Sequence, residues 1–188
     1  MSIKVLKAGF QDLIQDMGRF GNTHMGISPS GAADNISFRI GNLLLDNDIN
    51  DPGIEITLFG GSYYFNKDAI IVLSGSDFSS TIDGKIISFH KPLFVKTGQT
   101  LSISQTTDGA RCYLCIKGGF QVHSTLNSSS THVLSKIGGF DGRSLKKKDE
   151  IQFSSSNNQN FNKNKNFHID NDRSVLRVTE GLQYDLFD

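Results

Sequence analysis

Short strand-like runs recur along the chain as far as Phe153, most of them divided by glycine turns. They are Ile3 to Leu6, Gly53 to Phe59, Ser62 to Phe65, Ala69 to Leu73, Phe78 to Ile82, Ile86 to Phe89, Thr100 to Ser104, Arg111 to Ile116 and Ile151 to Phe153. Asp83-Gly84, with Thr-Ile before it and Ile-Ile after it, is the strongest hairpin signal, because a type I′ turn needs two residues that tolerate positive φ. Many short strands with such turns predict a mainly β domain, closed or sandwiched, rather than a doubly wound α/β sheet.

One segment breaks the pattern. Ile36, Ile40, Leu43 and Leu44 repeat at helical spacing along one face, and Asp34 sits where an N-cap carboxylate accepts from the first-turn N–H groups. Asn47 and Asp48 close the other end, so a single helix is expected to act as a lid or plug on the β-core. From 154 to 172 the composition turns to Ser, Asn and Lys, which bury too little apolar surface to order a chain and read as a linker or exposed loop. Ser174 to Val178 resumes a strand pattern, and residues 173–188 read as the truncated start of a second domain.

The chain has 188 residues, enough for one domain with a core plus something partial. Apolar residues are 37% of it, rich in Phe, Ile, Leu and Val with no Trp, which suits strands packed face to face. Nineteen basic residues balance nineteen acidic ones, so no net field draws a nucleic acid. Lys146-Lys147-Lys148 is followed at once by Asp149-Glu150 and reads as a neutralised surface turn. The N-terminal residues lack the apolar stretch of a signal peptide and no run is long enough for a membrane span, so a cytoplasmic protein without membrane contact is expected. Cys112 and Cys115 are three apart on a predicted strand, which sends them to opposite faces and argues against a zinc or redox pair; no metal site is expected.

The richest chemistry lies in residues 15–34, a polar, glycine-punctuated loop that runs into the helix start. A loop entering a helix N-terminus offers N–H donors to an anion. Arg19 can fork a carboxylate, and Ser28 and Ser30 can donate hydroxyl hydrogen bonds. The structural alternative is that Gln15 and Asp16 tie a turn, Gly18 and Gly21 permit it, and Arg19 pairs with Asp16.

The run Gln15-Asp-Met-Gly-Arg-Phe-Gly21 is followed by His24-x-Gly-x-x-x-Ser-Gly-x-x-Asp34 and by Gly41-Asn42 before Leu-Leu. With Glu55-Ile-Thr-Leu and Gly60-Gly61, Leu73-Ser-Gly-Ser-Asp-Phe78, Lys117-Gly-Gly-Phe120, Ser129-Ser-Thr-His132 and Gly138-Gly-Phe-Asp-Gly-Arg143, this order resembles the C subunit of 5-oxoprolinase. That family is also known as biotin-dependent carboxyltransferase or allophanate hydrolase subunit 2, and is similar to the carboxyltransferase region of urea carboxylase. The resemblance covers residues 1 to about 153, then Leu176 to Phe187 as the opening of the family's second half.

The resemblance implies a cyclophilin-like β-barrel, B-like and A-like partner subunits, and ATP-dependent opening of 5-oxoproline to glutamate. No Walker-type motif occurs, so ATP is expected to bind elsewhere in the complex. Biotin enters only under the alternative of carboxyl transfer to urea or a related small amide, and the Ala-Met-Lys-Met carrier signature is absent. A third reading is a regulatory module acting through the B-type partner.

A lactam or urea needs donors for its carbonyl and an acceptor for its N–H. Gly75, Gly118 and Gly119 let backbone amides approach an oxygen, and Asp77 and Glu55 are candidate acceptors. The alternatives are a plain Ser-Gly-Ser-Asp turn for Asp77 and an outward, solvated carboxylate for Glu55. His24 and His132, within matched motifs, are the candidate bases with Asp77, whereas His90, His123 and His168 lie outside them. Gly31 and Arg143, also in matched motifs, complete the candidate substrate-binding set with Arg19, Ser28, Ser30 and Glu55. Ser129 to His132 can bind an oxyanion or form a simple Ser/Thr turn, and no Gly-x-Ser-x-Gly elbow supports a triad.

Overall fold

The computed structural model describes residues 1–154, 162, 164–168 and 178–186. Most of the expected 154–172 linker and of the 173–188 second-domain start lies outside the described residues, including Ser174 to Arg177.

Among the described residues, twelve strands and one α-helix make up the ordered body. In chain order they are β1 (Ser2–Lys7), β2 (Gln11–Gln15), α1 (Asn35–Leu44), β3 (Gly53–Thr57), β4 (Ser62–Phe65), β5 (Ala69–Gly75) and β6 (Ser80–Ile82). There follow β7 (Lys85–Ile86), β8 (Leu93–Val95), β9 (Thr100–Ile103), β10 (Arg111–Ile116), β11 (Phe120–Gln121) and β12 (Glu150–Phe153). The expected hairpin is β6–β7, with Asp83 at φ 48° and Gly84 at φ 78°, both positive as a type I′ turn requires.

The strands form two sheets, ordered β11-β12-β1-β4-β9-β6-β7 and β2-β3-β10-β5-β8. The mainly β class is therefore as expected, but the barrel is not closed: the strands stay in two sheets. Their facing sides bury one core, in which Ile3, Val5, Tyr63, Phe65, Leu101 and Ile151 meet Ile14, Ile54, Ile56, Ile71, Leu73 and Leu114. Along β10, Cys112 belongs to this core and Cys115 to the opposite face, as odd spacing on a strand demands.

That opposite face carries α1, which gives the second sheet apolar cover on both sides and explains why every residue of β3 is buried. Phe38 packs edge-on against Tyr113 with centroids 5.6 Å apart. A Cβ on Gly41 would lie 2.7 Å from Cys115 Sγ and Ser74 Oγ, so only glycine allows this approach. Asp34 caps the helix as expected, accepting from Ser37 N–H at 3.0 Å. The buried face, however, is Ser37, Phe38, Ile40, Gly41 and Asn42, whereas Ile36 and Leu43 are exposed. The helix was legible from its cap and spacing, but its seat is set by Phe38 and Gly41 against β10. No helix among the described residues is long and apolar enough to cross a membrane.

Candidate functional site

The loop joining β2 to α1 is closed at its base, where Ala32 N–H donates to Asp16 O (2.9 Å) and Arg19 N–H to Pro29 O (2.7 Å). The buried Asp16 carboxylate accepts from Gly18 N–H (2.7 Å), the Ser128 hydroxyl (2.7 Å), Ser129 N–H (2.5 Å) and the Ser130 hydroxyl (2.5 Å). Arg19 is 1% exposed. Its guanidinium donates to Ser30 Oγ (3.2 Å), Thr125 O (3.4 Å) and Ser130 O. Burial draws its pKa below the usual value, and the Asp16 charge opposes that. The expected substrate fork is thus spent on protein acceptors that bind the 16–32 loop to the 125–130 loop. The alternative Asp16–Arg19 pairing also needs correction, since both Asp16 oxygens are occupied by the serine loop.

Ser28, Ser30 and Gly31 serve the same clamp. Ser28 Oγ accepts from Ser30 N–H (3.3 Å), and Gly31 (φ 94°) sits where a Cβ would meet Met17 O at 2.8 Å. His24 is exposed at the loop tip, in the short turn Thr23–Met25. The 129–132 oxyanion expectation fails on hydrogen-bond accounting. The N–H groups of Ser129, Ser130, Thr131 and His132 are donated to Asp16, Ser128 Oγ, Ile14 O and Ile137 O. His132 itself is half-buried.

Glu55 is neither a solvated carboxylate nor a free acceptor. It is buried, accepts from Ala33 N–H (2.8 Å) and Tyr113 O–H (2.9 Å), and pairs with Arg111 at 3.3 Å. Tyr113 in turn accepts from Asp34 N–H at 2.7 Å, so β3 and β10 together hold the helix entrance. Burial, with the Glu55 charge, pushes the Tyr113 hydroxyl pKa far up and keeps it protonated.

The glycine amides expected to meet a carbonyl are likewise engaged. Gly75 N–H donates to His90 Nε2 (3.0 Å), Gly118 N–H to Asn47 Oδ1 (2.8 Å) and Gly119 N–H to Ile116 O (3.0 Å). Arg143 is held two-pronged by Asp149, at 2.7 and 3.1 Å, with its charge over the Phe140 ring 5.1 Å away. It pins the Lys146–Lys148 turn and is remote from the other candidates in its bonding.

The remaining candidate, Asp77, does border a cleft. A space of about 420 Å³ opens at the N-terminal end of α1, lined by Asp34, Ile36, Ser37, Gly75, Ser76, Asp77, Phe89, His90, Asp108 and His168. The Asp77 backbone carbonyl accepts from Thr107 N–H (3.0 Å), so its turn is fixed while its side chain is exposed. Of the sequence-predicted residues, only Asp77 and Gly75 meet here. His90 and His168 were missed, because they lie outside the matched motifs and no spacing links them to Asp77.

His90 has φ 56° and fastens the end of β5 twice: its N–H donates to Leu73 O (2.7 Å) and its Nε2 accepts from Gly75. Burial lowers its pKa, while the nearby Asp77 charge acts the other way. With Nε2 an acceptor, the neutral ring carries its proton on Nδ1. The cleft therefore offers carboxylate and imidazole groups and, among the described residues, no Lys or Arg. Such a lining can accept N–H hydrogen bonds and exchange a proton, and it holds no permanent cation to neutralise an anion.

A two-sheet β domain with a helix-backed, acceptor-rich cleft is the class this fold and site define. The family model for the carboxyltransferase domain, subdomains A and B, matches residues 25–188, and the chain belongs to that family. It is 42% identical over 160 residues to urea amidolyase of Saccharomyces cerevisiae, covering 85% of this chain and 9% of that protein. It is 37% identical over 150 residues to the 5-oxoprolinase C subunit of Haemophilus influenzae, covering 80% of this chain and 48% of that one. The crystal structure of Kluyveromyces lactis urea carboxylase superposes with a TM-score of 0.80 at 37% identity, over 81% of this chain and 14% of that one. The chain thus spans about half the length of the 5-oxoprolinase relative and a small part of the urea enzymes.

Proposed function

We propose that the chain supplies the substrate-contacting cleft of an ATP-dependent assembly that processes a small amide. In the first reading it acts as a 5-oxoprolinase component with B-like and A-like partner subunits. The observation that carries the proposal is the cleft at the head of α1, where Asp77 can accept an amide N–H and His90 lies beside it. The sequence carries no Walker-type motif, so nucleotide chemistry is assigned to the partners.

Two observations favour a second reading, carboxyl transfer from carboxybiotin to urea. Urea is neutral and rich in N–H groups, which suits a lining without Lys or Arg, whereas the 5-oxoproline carboxylate would need a cation from outside this lining. The 42% identity to a urea amidolyase points the same way. In either reading Asp77 orients the substrate N–H, and His24 and His132 do not border the cleft.

The test is to assemble the protein with A-like and B-like subunits and measure ATP-dependent glutamate release, and in parallel biotin-dependent carboxylation of urea. The chain alone should release no glutamate. Asp77→Asn should lower kcat/KM by about tenfold or more, as loss of a charged acceptor implies. Recovery of a B-type partner with neither amide consumed would replace both readings with the regulatory one.

A further inference from the structure

We infer that residues 164–168 form a strap that completes the cleft and sets its ligand specificity through His168, an inference that rests on reading the cleft as an amide site. Three contacts place the strap. The Phe167 N–H donates to His90 O at 3.1 Å, the Lys165 ammonium pairs with Asp46 just beyond the C-terminal end of α1, and His168 lines the cleft at the helix's other end. A turn begins the segment, with Asn164 N–H on Asn162 Oδ1 (2.9 Å) and Lys165 N–H on Asn162 O (3.2 Å).

The reach is consistent with this path. From Asp34 to Asp46 the helix and its ends span about 18 Å. Three extended steps from Lys165 to His168 cover about 10 Å, a lysine side chain adds roughly 6 Å, and the His168 side chain that lines the cleft makes up the remainder. The strap therefore runs from one end of α1 to the other.

His90 is the joint. Its N–H and imidazole hold the end of β5 and its carbonyl holds the strap, so the cleft wall and the strap meet at one residue in a left-handed conformation. The strap thereby brings a second imidazole near the first. Neutral His168 can donate to an amide carbonyl or accept an amide N–H, a versatility Asp77 lacks. Neither histidine belongs to the motifs that carry the family resemblance, which fits a role in choosing the ligand rather than in chemistry shared by relatives.

Among the described residues the tether is weak in both of its parts: an exposed ion pair and one backbone hydrogen bond hold only a small preference for closure. A ligand touching His168 would supply the rest, so the strap opens to admit it and closes over it.

The experiment uses the full protein in its assembly. Lys165→Glu sets like charges against each other at Asp46 and should raise KM for the amide about threefold with kcat retained. The pair Lys165→Glu with Asp46→Lys should restore it. His168→Ala should raise KM for the amide the assembly consumes and change the ratio of affinities for urea against 5-oxoproline, the other amide being read as a competitive inhibitor. Hydrogen exchange at the Phe167 amide should speed in Lys165→Glu while the melting temperature stays fixed. Faster exchange with unchanged KM, or an unchanged substrate ratio in His168→Ala, would overturn the inference. Should the wild-type assembly consume neither amide, the functional reading fails by itself. The strap is then decided by exchange with urea or 5-oxoproline added: slowing at Phe167 that Lys165→Glu abolishes supports it, and no slowing refutes it.

Discussion

Replacing Arg19 by lysine should damage the fold rather than substrate binding. The guanidinium donates to Ser30 Oγ, Thr125 O and Ser130 O from a position 1% exposed, and Thr125 O also accepts from Ser128 N–H at 3.3 Å. A hydrogen bond with a charged donor contributes about 1.5–3 kcal/mol. A lysine ammonium is a point donor on a flexible stem and reaches one of these acceptors at a time, so two of the three charge-assisted contacts are lost. The Thr125 contact is long at 3.4 Å, so the low end applies, and the expected loss is about 3 kcal/mol. For a domain of this size that lowers the melting temperature by about 6–12 °C. Calorimetry and urea unfolding measure the loss, and turnover by the assembled enzyme is read per folded molecule well below the transition. An unchanged unfolding midpoint with lost turnover would refute this reasoning and return Arg19 to the substrate.

The same clamp makes Gly138→Ala costly: at φ 68° its Cβ would collide with Ser130 O and come within 2.5 Å of Arg19 Nη2, so about 2–3 kcal/mol should go in urea unfolding. Gly21→Ala, at φ 84° but with open space around it, should cost only about 1 kcal/mol, and equal losses would show that the collision is relieved. Tyr113→Phe removes the hydroxyl shared by Glu55 and Asp34 N–H and should cost about 1–3 kcal/mol, with faster hydrogen exchange at the start of α1; exchange confined to wild-type rates would discount that link. The folded His90 pKa lies below its unfolded value of about 6.5, so the unfolded chain binds more protons between the two. Its contribution is present above about pH 6.5 and is lost as pH falls toward the folded pKa; His90→Gln should flatten that part of the stability profile, and an unaltered slope would remove His90 as its source.

What could be read from the sequence follows from how local each cause is. The β6–β7 hairpin rests on Asp83-Gly84 alone and was legible, as were β4 and β10, whose bounds match their apolar runs. Strand β2 was not, because Gln11-Asp-Leu-Ile-Gln15 looks polar. Its Asp12 is buried between the sheets, with Gly9 N–H at 2.7 Å and the Tyr63 hydroxyl at 2.8 Å on its carboxylate, and burial raises its pKa. One of these two donors, Tyr63, is distant in sequence, so no local run shows what offsets the burial. The open barrel was equally hidden, since closure depends on edge pairings that no local run encodes.

The candidate site divides along the same line. The motif around Arg19, the serine loop with Asp16 and the Gly138 turn proved to be one interlocked clamp, in which Asp16 and Arg19 are both held by the serine loop. Residues fixed to one another in that way have little freedom to turn toward a ligand, and a change in any one is felt by all. The cleft groups are different: the Asp77 side chain is exposed, and His168 arrives on a segment tied by one backbone hydrogen bond and one exposed ion pair. Motif resemblance therefore found the interlocked scaffold, while the exposed groups of the cleft lie at its edge, where a substitution disturbs no such network and leaves the domain folded.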